Sequence, residues 1–165
     1  MKIIYHCYGG THSSVLAAAV HLGLIEGKTS LSNRELINCP FFDSLNQAQI
    51  GTINKMGEDN HENEIFVLGC KNAGSLVEKI LPEFCRIFNI DKNNILMVST
   101  IPCLNILLRI GGFLSRRAGL VTLGRFFLLL GARWAIKNIK LTVEEVKQKL
   151  LEKKETVPPG KGGES

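Results

Sequence analysis

Short apolar runs cut by glycines fill the first hundred residues, and longer runs with helical spacing lie between them. Residues 2–7 are brief, apolar and rich in β-formers. Gly9 and Gly10 interrupt them, and an alanine-rich run over 13–22 follows with helical period. The pattern predicts a strand, a glycine turn and a helix. Gly23 and Gly27 mark the next break, and Ser32-Asn33-Arg34-Glu35 has the form of a capping box opening a short helix that ends before Pro40. The aromatic pair Phe41 and Phe42 is expected to pack on the core or on a partner. Residues 49–56 read as a strand, 57–63 as a polar acidic turn and 64–70 as a second strong strand, so that 50–68 forms a hairpin.

Gly74 and Ser75 open a predicted helix through about Phe88, with Leu76, Val77, Ile80, Leu81, Phe84 and Ile87 at helical spacing and Pro82 inside it. Residues 94–100 are apolar on both faces, as in a buried parallel strand. A helix is expected over 103–114, then a basic turn at Ser115-Arg116-Arg117. The run FFLLL at 126–130 stands between Gly124 and Gly131 and reads as a strand. A helix resumes near Arg133, and Thr142-x-x-Glu145 is a second capping box before 143–153. Strands alternating with helices predict an α/β fold in three layers, Rossmann-like, with a mostly parallel sheet flanked by helices and the first strand near its centre. One domain is expected over 1–154, with a flexible tail over 155–165.

Charge sharpens this picture more than composition does. Among 165 residues, 45% are hydrophobic and 21% charged, ordinary globular usage that excludes general disorder. The net charge of +5 is unevenly placed. Residues 1–91 hold seven bases against ten acids, whereas the stretch from Lys92 to Val143 holds eight bases and no acid. The positive field therefore belongs to one continuous part of the chain. No run of the chain has the ~18 uncharged apolar residues of a membrane span. The chain opens on a strand-like segment rather than a secretory leader, so a cytoplasmic location is expected. Five cysteines at wide spacing, without a C-x-x-C pair, indicate neither a zinc site nor a disulfide framework, and the residues name no cofactor.

The first turn is where chemistry is expected. Ligands of α/β sheets gather at the carboxyl ends of the strands. There Tyr8, Gly9, Gly10, Thr11, His12, Ser13 and Ser14 bring backbone N–H groups and hydroxyls to a helix start, an arrangement that favours an anion. The loop is neither G-x-x-x-x-G-K-[ST] nor G-x-G-x-x-G, which argues against ATP hydrolysis and NAD chemistry. It does place Cys7 at a strand end with five residues before Ser13, the length of a phosphatase-type loop without its closing arginine. The spacing resembles the cysteine loop of phosphotransferase-system IIB proteins. Cys7 is thus a candidate nucleophile and His12 a candidate acid or base, against the plainer reading of a buried strand-end thiol. Plain helix capping is the equally simple reading of Thr11, Ser13 and Ser14. Arg116 and Arg117 are candidate walls of the site, or else a solvated face or a partner surface. Nucleic acid is disfavoured because no RNA-binding signature accompanies the basic segment.

Several segments together carry a family resemblance. The opening Y-x-x-Y-G-G-T-H-S-S with A-A-x-H-L-G, E-L-x-x-C-P-x-F-D at 35–43, E-x-F-V-L-G-x-K-N at 64–72 and G-G-F-L-S-R-R-x-G-L at 111–120 resemble an uncharacterised family of Firmicute proteins, domain of unknown function 3189. The resemblance runs to about Gln148 and implies that the loop and the arginine pair belong to one unit. Three functions follow in order. The first is binding of a phosphorylated or anionic small ligand at 8–14 with help from Arg116 and Arg117. The second is cysteine-dependent phosphoryl transfer through Cys7, and the third is a protein-interaction module with a basic surface.

Overall fold

The computed structural model describes residues 1–25, 32–44 and 47–156. Gly27 and residues 157–165 of the expected tail lie outside the described residues. The first strand, β1 (Lys2–Cys7), leads through the glycine turn into helix α1 (Ser13–His21). Helix α2 (Asn33–Asn38) starts at the anticipated capping box: the Ser32 hydroxyl accepts the Glu35 N–H and the Glu35 carboxylate accepts the Ser32 N–H. Strands β2 (Ile53–Glu58) and β3 (Glu64–Gly69) follow, then helix α3 (Gly74–Ile87), strand β4 (Ile95–Ser99) and helices α4 (Ile106–Arg116) and α5 (Val121–Thr156).

The four strands lie in the order β2-β3-β1-β4. β1 is an inner strand, parallel to β3 on one side and to β4 on the other, while β2 runs antiparallel to β3. The sheet is therefore mixed rather than mostly parallel. The cause is the short polar turn at Asp59–Asn63, which leaves too little chain for the crossover that a parallel pair requires. β4 is an edge strand, half-buried along its length rather than enclosed on both faces.

Each face of the sheet carries its own core. Ile3, Tyr5, Ile65 and Val67 pack with Val15, Leu16 and Ala19 of α1 and with Ala132, Ile136, Ile139 and Val143 of α5. Ile4 and Leu68 pack on the opposite face with Val77 and Leu81 of α3. Alternation along β1 decides which residue meets which layer. The path from β1 through α1 leads to the β3 side, and the path from β3 through α3 returns across β1 to β4. The strand order consequently reverses between β1 and β4.

The last third of the chain departs from expectation in several places, Ser115 and Arg116 being the end of α4 rather than a turn. Residues 126–130 are not a strand: they lie inside α5, a single helix of 36 residues. Gly124 and Gly131 do not bracket an element but stand two turns apart on one helix face, against α4. A Cβ on Gly124 would lie 2.5 Å from the Ser115 nitrogen, and one on Gly131 would lie 2.7 Å from the Leu108 nitrogen. A further correction concerns Thr142, which is no cap. It lies mid-helix, where its hydroxyl donates to the Asn138 carbonyl one turn back. Residues 155–156 also continue α5 rather than beginning a tail. No described helix is long and apolar enough to cross a membrane.

Candidate functional site

The loop after β1 is shaped by a glycine contact. Gly10 has φ +71, and a Cβ there would lie 2.5 Å from the Gly69 nitrogen; one on Gly69 would lie 2.7 Å from the Gly9 carbonyl carbon. The loop backbone thus rests directly on the end of β3, which only glycine permits on either side. This folds the chain back so that the Gly10 N–H donates to Cys7 Sγ at 3.1 Å, with Ser14 Oγ 3.2 Å from the same sulfur. Cys7, like the other four cysteines, is buried and free.

The hydroxyls of the loop divide their tasks. Thr100 Oγ1 donates to the His6 carbonyl at 3.0 Å, so Ser13 Oγ, 3.0 Å away, donates to Thr100 and ties α1 to the end of β4. Thr11 Oγ1 donates to the Phe41 carbonyl at 2.7 Å and accepts the Ser44 N–H, while the Thr11 carbonyl accepts the Asp43 N–H. Thr11 thereby clamps a turn in which Phe41 and Asp43 both have positive φ, +64 and +49. Such backbone costs on the order of 1–3 kcal/mol per residue and persists where surrounding contacts over-determine it. No side chain caps the start of α1.

That strained turn aims Asp43 inward, and sequence reasoning missed its role. The Asp43 side chain is 3% exposed and accepts hydrogen bonds from Ser115 Oγ at 2.9 and 3.1 Å, Arg116 Nε at 2.9 Å and Arg125 Nε at 3.4 Å. His12 Nε2 lies 3.2 Å from it, and the His12 ring meets Phe42 edge to face. Burial alone would push the Asp43 carboxyl up, but the His12 and Ser115 hydrogen bonds and the charges of His12 and Arg116 outweigh it and hold it below the usual value. A signal existed in the sequence. A segment of eight bases without an acid needs a counter-charge from elsewhere, and E-L-x-x-C-P-x-F-D ends in a lone acid.

Against this framework lies a cleft of about 420 Å³ lined by residues of the loop, by Ile50 and Lys71, and by α4 with its flanks. Cys7, Tyr8, Gly9, Thr11, His12, Arg116 and Arg117 all line it, so the loop and the arginine pair do meet. Gly10, Ser13 and Ser14 support the loop from behind. Arg117 Nη2 donates to the Tyr8 hydroxyl at 3.3 Å, joining the two walls. Arg116 points its Nε at Asp43 instead. Two further cations that sequence reasoning passed over, Lys71 and Arg109, also line the cleft, and among the described residues no carboxylate does. Lys71 follows the end of β3, where the carboxyl-edge rule would have found it. Among the described residues no group of three His, Cys, Asp or Glu side chains could hold a metal ion.

A second polar chain lies outside this cleft. Tyr5 Oη donates to His21 Nδ1 at 2.7 Å, and His21 Nε2 lies 3.1 Å from Asp59 Oδ2. Desolvation lowers the His21 pKa, against the opposing pull of Asp59, and burial raises that of Tyr5. This is consistent with a neutral imidazole that accepts from Tyr5 and donates to Asp59, a buried pin between β1, α1 and the hairpin turn.

No curated protein and no solved structure matches the chain. A family model does, over residues 2–148, a span that takes in the loop, Asp43 and every cation of the cleft, and the chain belongs to that family, described as "Protein of unknown function (DUF3189)".

Proposed function

We propose that the cleft binds a phosphorylated or otherwise anionic small ligand, in a protein acting in the cytoplasm. One observation carries this reading: among the described residues Lys71, Arg109, Arg116 and Arg117 line a cleft that no carboxylate lines, and only Arg116 of the four has a salt bridge to an acid. Unpaired cations held together repel one another, and an incoming anion relieves that repulsion. The site lies at the carboxyl ends of β1 and β3, the edge where ligands of α/β sheets gather, beside the uncapped start of α1. The loop residues Tyr8 to Ser14 would shape the anion subsite, with Arg117 as its mobile donor.

The test is a calorimetric or NMR titration with inorganic phosphate at low salt. Arg117→Ala should weaken binding roughly tenfold, equivalent to about 1.4 kcal/mol. The remaining affinity should fall as salt rises. Binding that ignores both Arg117→Ala and Lys71→Ala, or no binding of phosphate at all, overturns the reading.

Cysteine-dependent phosphoryl transfer is the second reading, and the environment of Cys7 favours it. The Gly10 N–H donates to Sγ and the Ser14 hydroxyl lies 3.2 Å from it, where it could donate to an attacking sulfur. Sulfur would attack phosphorus, forming a P–S bond as the P–O ester bond breaks. His12, on the cleft wall, would protonate the departing oxygen, and water would later hydrolyse the cysteinyl phosphate. Ser13 stands where a phosphatase loop closes with arginine, so Lys71 and Arg117 would have to supply that charge. Cys7→Ser should abolish turnover of an aryl phosphate while leaving phosphate binding intact; retained turnover rules this chemistry out.

A further inference from the structure

We infer that the ligand of this cleft is a phosphomonoester whose organic body is apolar, an aryl or alkyl phosphate rather than a sugar phosphate or a nucleotide. The inference rests on the anion-binding reading above and narrows it. Its volume, about 420 Å³, falls in the roughly 300–1,000 Å³ range of clefts that enclose drug-sized ligands, more room than a lone anion needs. The charged groups account for one part of the lining, and Ile50, Leu104, Leu108 and Phe113 with the ring of Tyr8 give it an apolar side; Cys7, Gly9, Thr11 and His12 of the loop, with Gly112 and Ser115, complete it among the described residues.

What the lining lacks in polar groups decides the class of the body. Recognition of sugar or ribose hydroxyls needs acceptors, and buried hydroxyls left without them lose free energy. Among the described residues no Asp, Glu, Asn or Gln lines the cleft. Its two aliphatic hydroxyls are committed inward, Thr11 to the Phe41 carbonyl and Ser115 to the Asp43 carboxylate. The Tyr8 hydroxyl accepts from Arg117. A polyol body would therefore surrender its water hydrogen bonds to an apolar wall, whereas an aryl body would bury its surface there. Phe113, 57% exposed, and Tyr8, 40% exposed, stand partly in solvent, and covering them would add hydrophobic stabilisation to the ionic contact.

The experiment compares inorganic phosphate, glycerol 3-phosphate, 1-naphthyl phosphate and neutral 1-naphthol on the full chain by titration calorimetry. The expected result is 1-naphthyl phosphate bound at least about tenfold more tightly than inorganic phosphate or glycerol 3-phosphate. Phe113→Ala, a change at an exposed side chain, should erase most of that gain, bringing the ratio of 1-naphthyl phosphate to inorganic phosphate affinity close to one. Arg117→Ala should weaken both phosphates, and 1-naphthol should not compete at the concentrations that saturate its phosphate. Equal binding of the three phosphates, tighter glycerol 3-phosphate, or a naphthyl gain that survives Phe113→Ala overturns this inference while the anion site stands. Failure of every phosphate to bind removes the anion site itself.

Discussion

Arg116 Nε lies 2.9 Å from Asp43 Oδ1, joining the strained turn after α2 to the last turn of α4 across 73 positions of sequence. The contact decides which cations of the basic segment are available. Asp43 engages Arg116 and Arg125, so that Arg117, Arg109 and Lys71 face the cleft without an acid partner among the described residues. The same carboxylate receives Ser115 and His12, and in this way one buried anion holds both walls of the cleft.

Replacing Asp43 should therefore both destabilise the fold and alter the site. Removing one partner of a fully buried ion pair costs about 3–5 kcal/mol. Arg116 is 29% and Arg125 50% exposed, so water recovers part of the loss, and Asp43→Ala should cost roughly 2–3 kcal/mol in urea denaturation. Because the carboxyl is held below its ordinary 3.8, this contribution is complete above that value and disappears as pH falls through the folded pKa. A variant as stable as the parent at neutral pH would show that the network contributes nothing.

The helical hairpin makes a prediction of unusual sign. Gly→Ala inside an exposed helix normally stabilises by about 0.8–1 kcal/mol. At Gly124 the added methyl would meet the Ser115 nitrogen at 2.5 Å and the Gly111 carbonyl oxygen at 2.8 Å, both backbone atoms. Overpacking of this kind costs about 1–3 kcal/mol. Gly124→Ala should accordingly lower the urea midpoint and, by displacing α4 with Arg116 and Arg117, weaken phosphate binding. A stabilised variant would mean that α4 and α5 are not in contact there.

Acid sensitivity should begin with His21. Burial lowers its folded pKa from 6.5, so the folded state binds fewer protons than the unfolded chain at mildly acidic pH. The stability it contributes is complete above 6.5 and is lost as pH falls through the folded pKa, by at most about 1.4 kcal/mol per pH unit. Urea midpoints measured from pH 8 to pH 5 should be level at first and then decline. His21→Gln, which keeps a donor and an acceptor between Tyr5 and Asp59, should flatten the upper part of that decline. A midpoint that rises toward pH 5 would refute a neutral His21.

Local signals accounted for the first hundred residues because local chemistry governs them. β1 and α1 follow from a change of hydrophobic period across Gly9 and Gly10, α2 from its capping box, and the β2–β3 hairpin from a short polar turn. The helix over Gly74–Ile87 tolerates Pro82. The pattern within α5 misleads for an equally physical reason. Its outer face is itself apolar, with Leu123, Phe126 and Trp134 exposed, so the contrast between faces that marks a surface helix is missing around 126–130. The glycines that looked like stops serve a helix crossing whose partner lies elsewhere in the chain.

By itself, then, the amino-acid sequence determined the strand-loop-helix unit, the crowding of positive charge into residues 92–143 and the family of the chain, since each is written in neighbouring residues or in motif spacing. Tertiary structure alone decided that Ser13 and Thr11 spend their hydroxyls on internal ties, and that Asp43 engages Arg116 and Arg125 while Arg117 does not pair with it. Those outcomes depend on contacts between positions about 30 to nearly 90 residues apart, where period and propensity carry no information and only packing of the finished fold selects among the available partners.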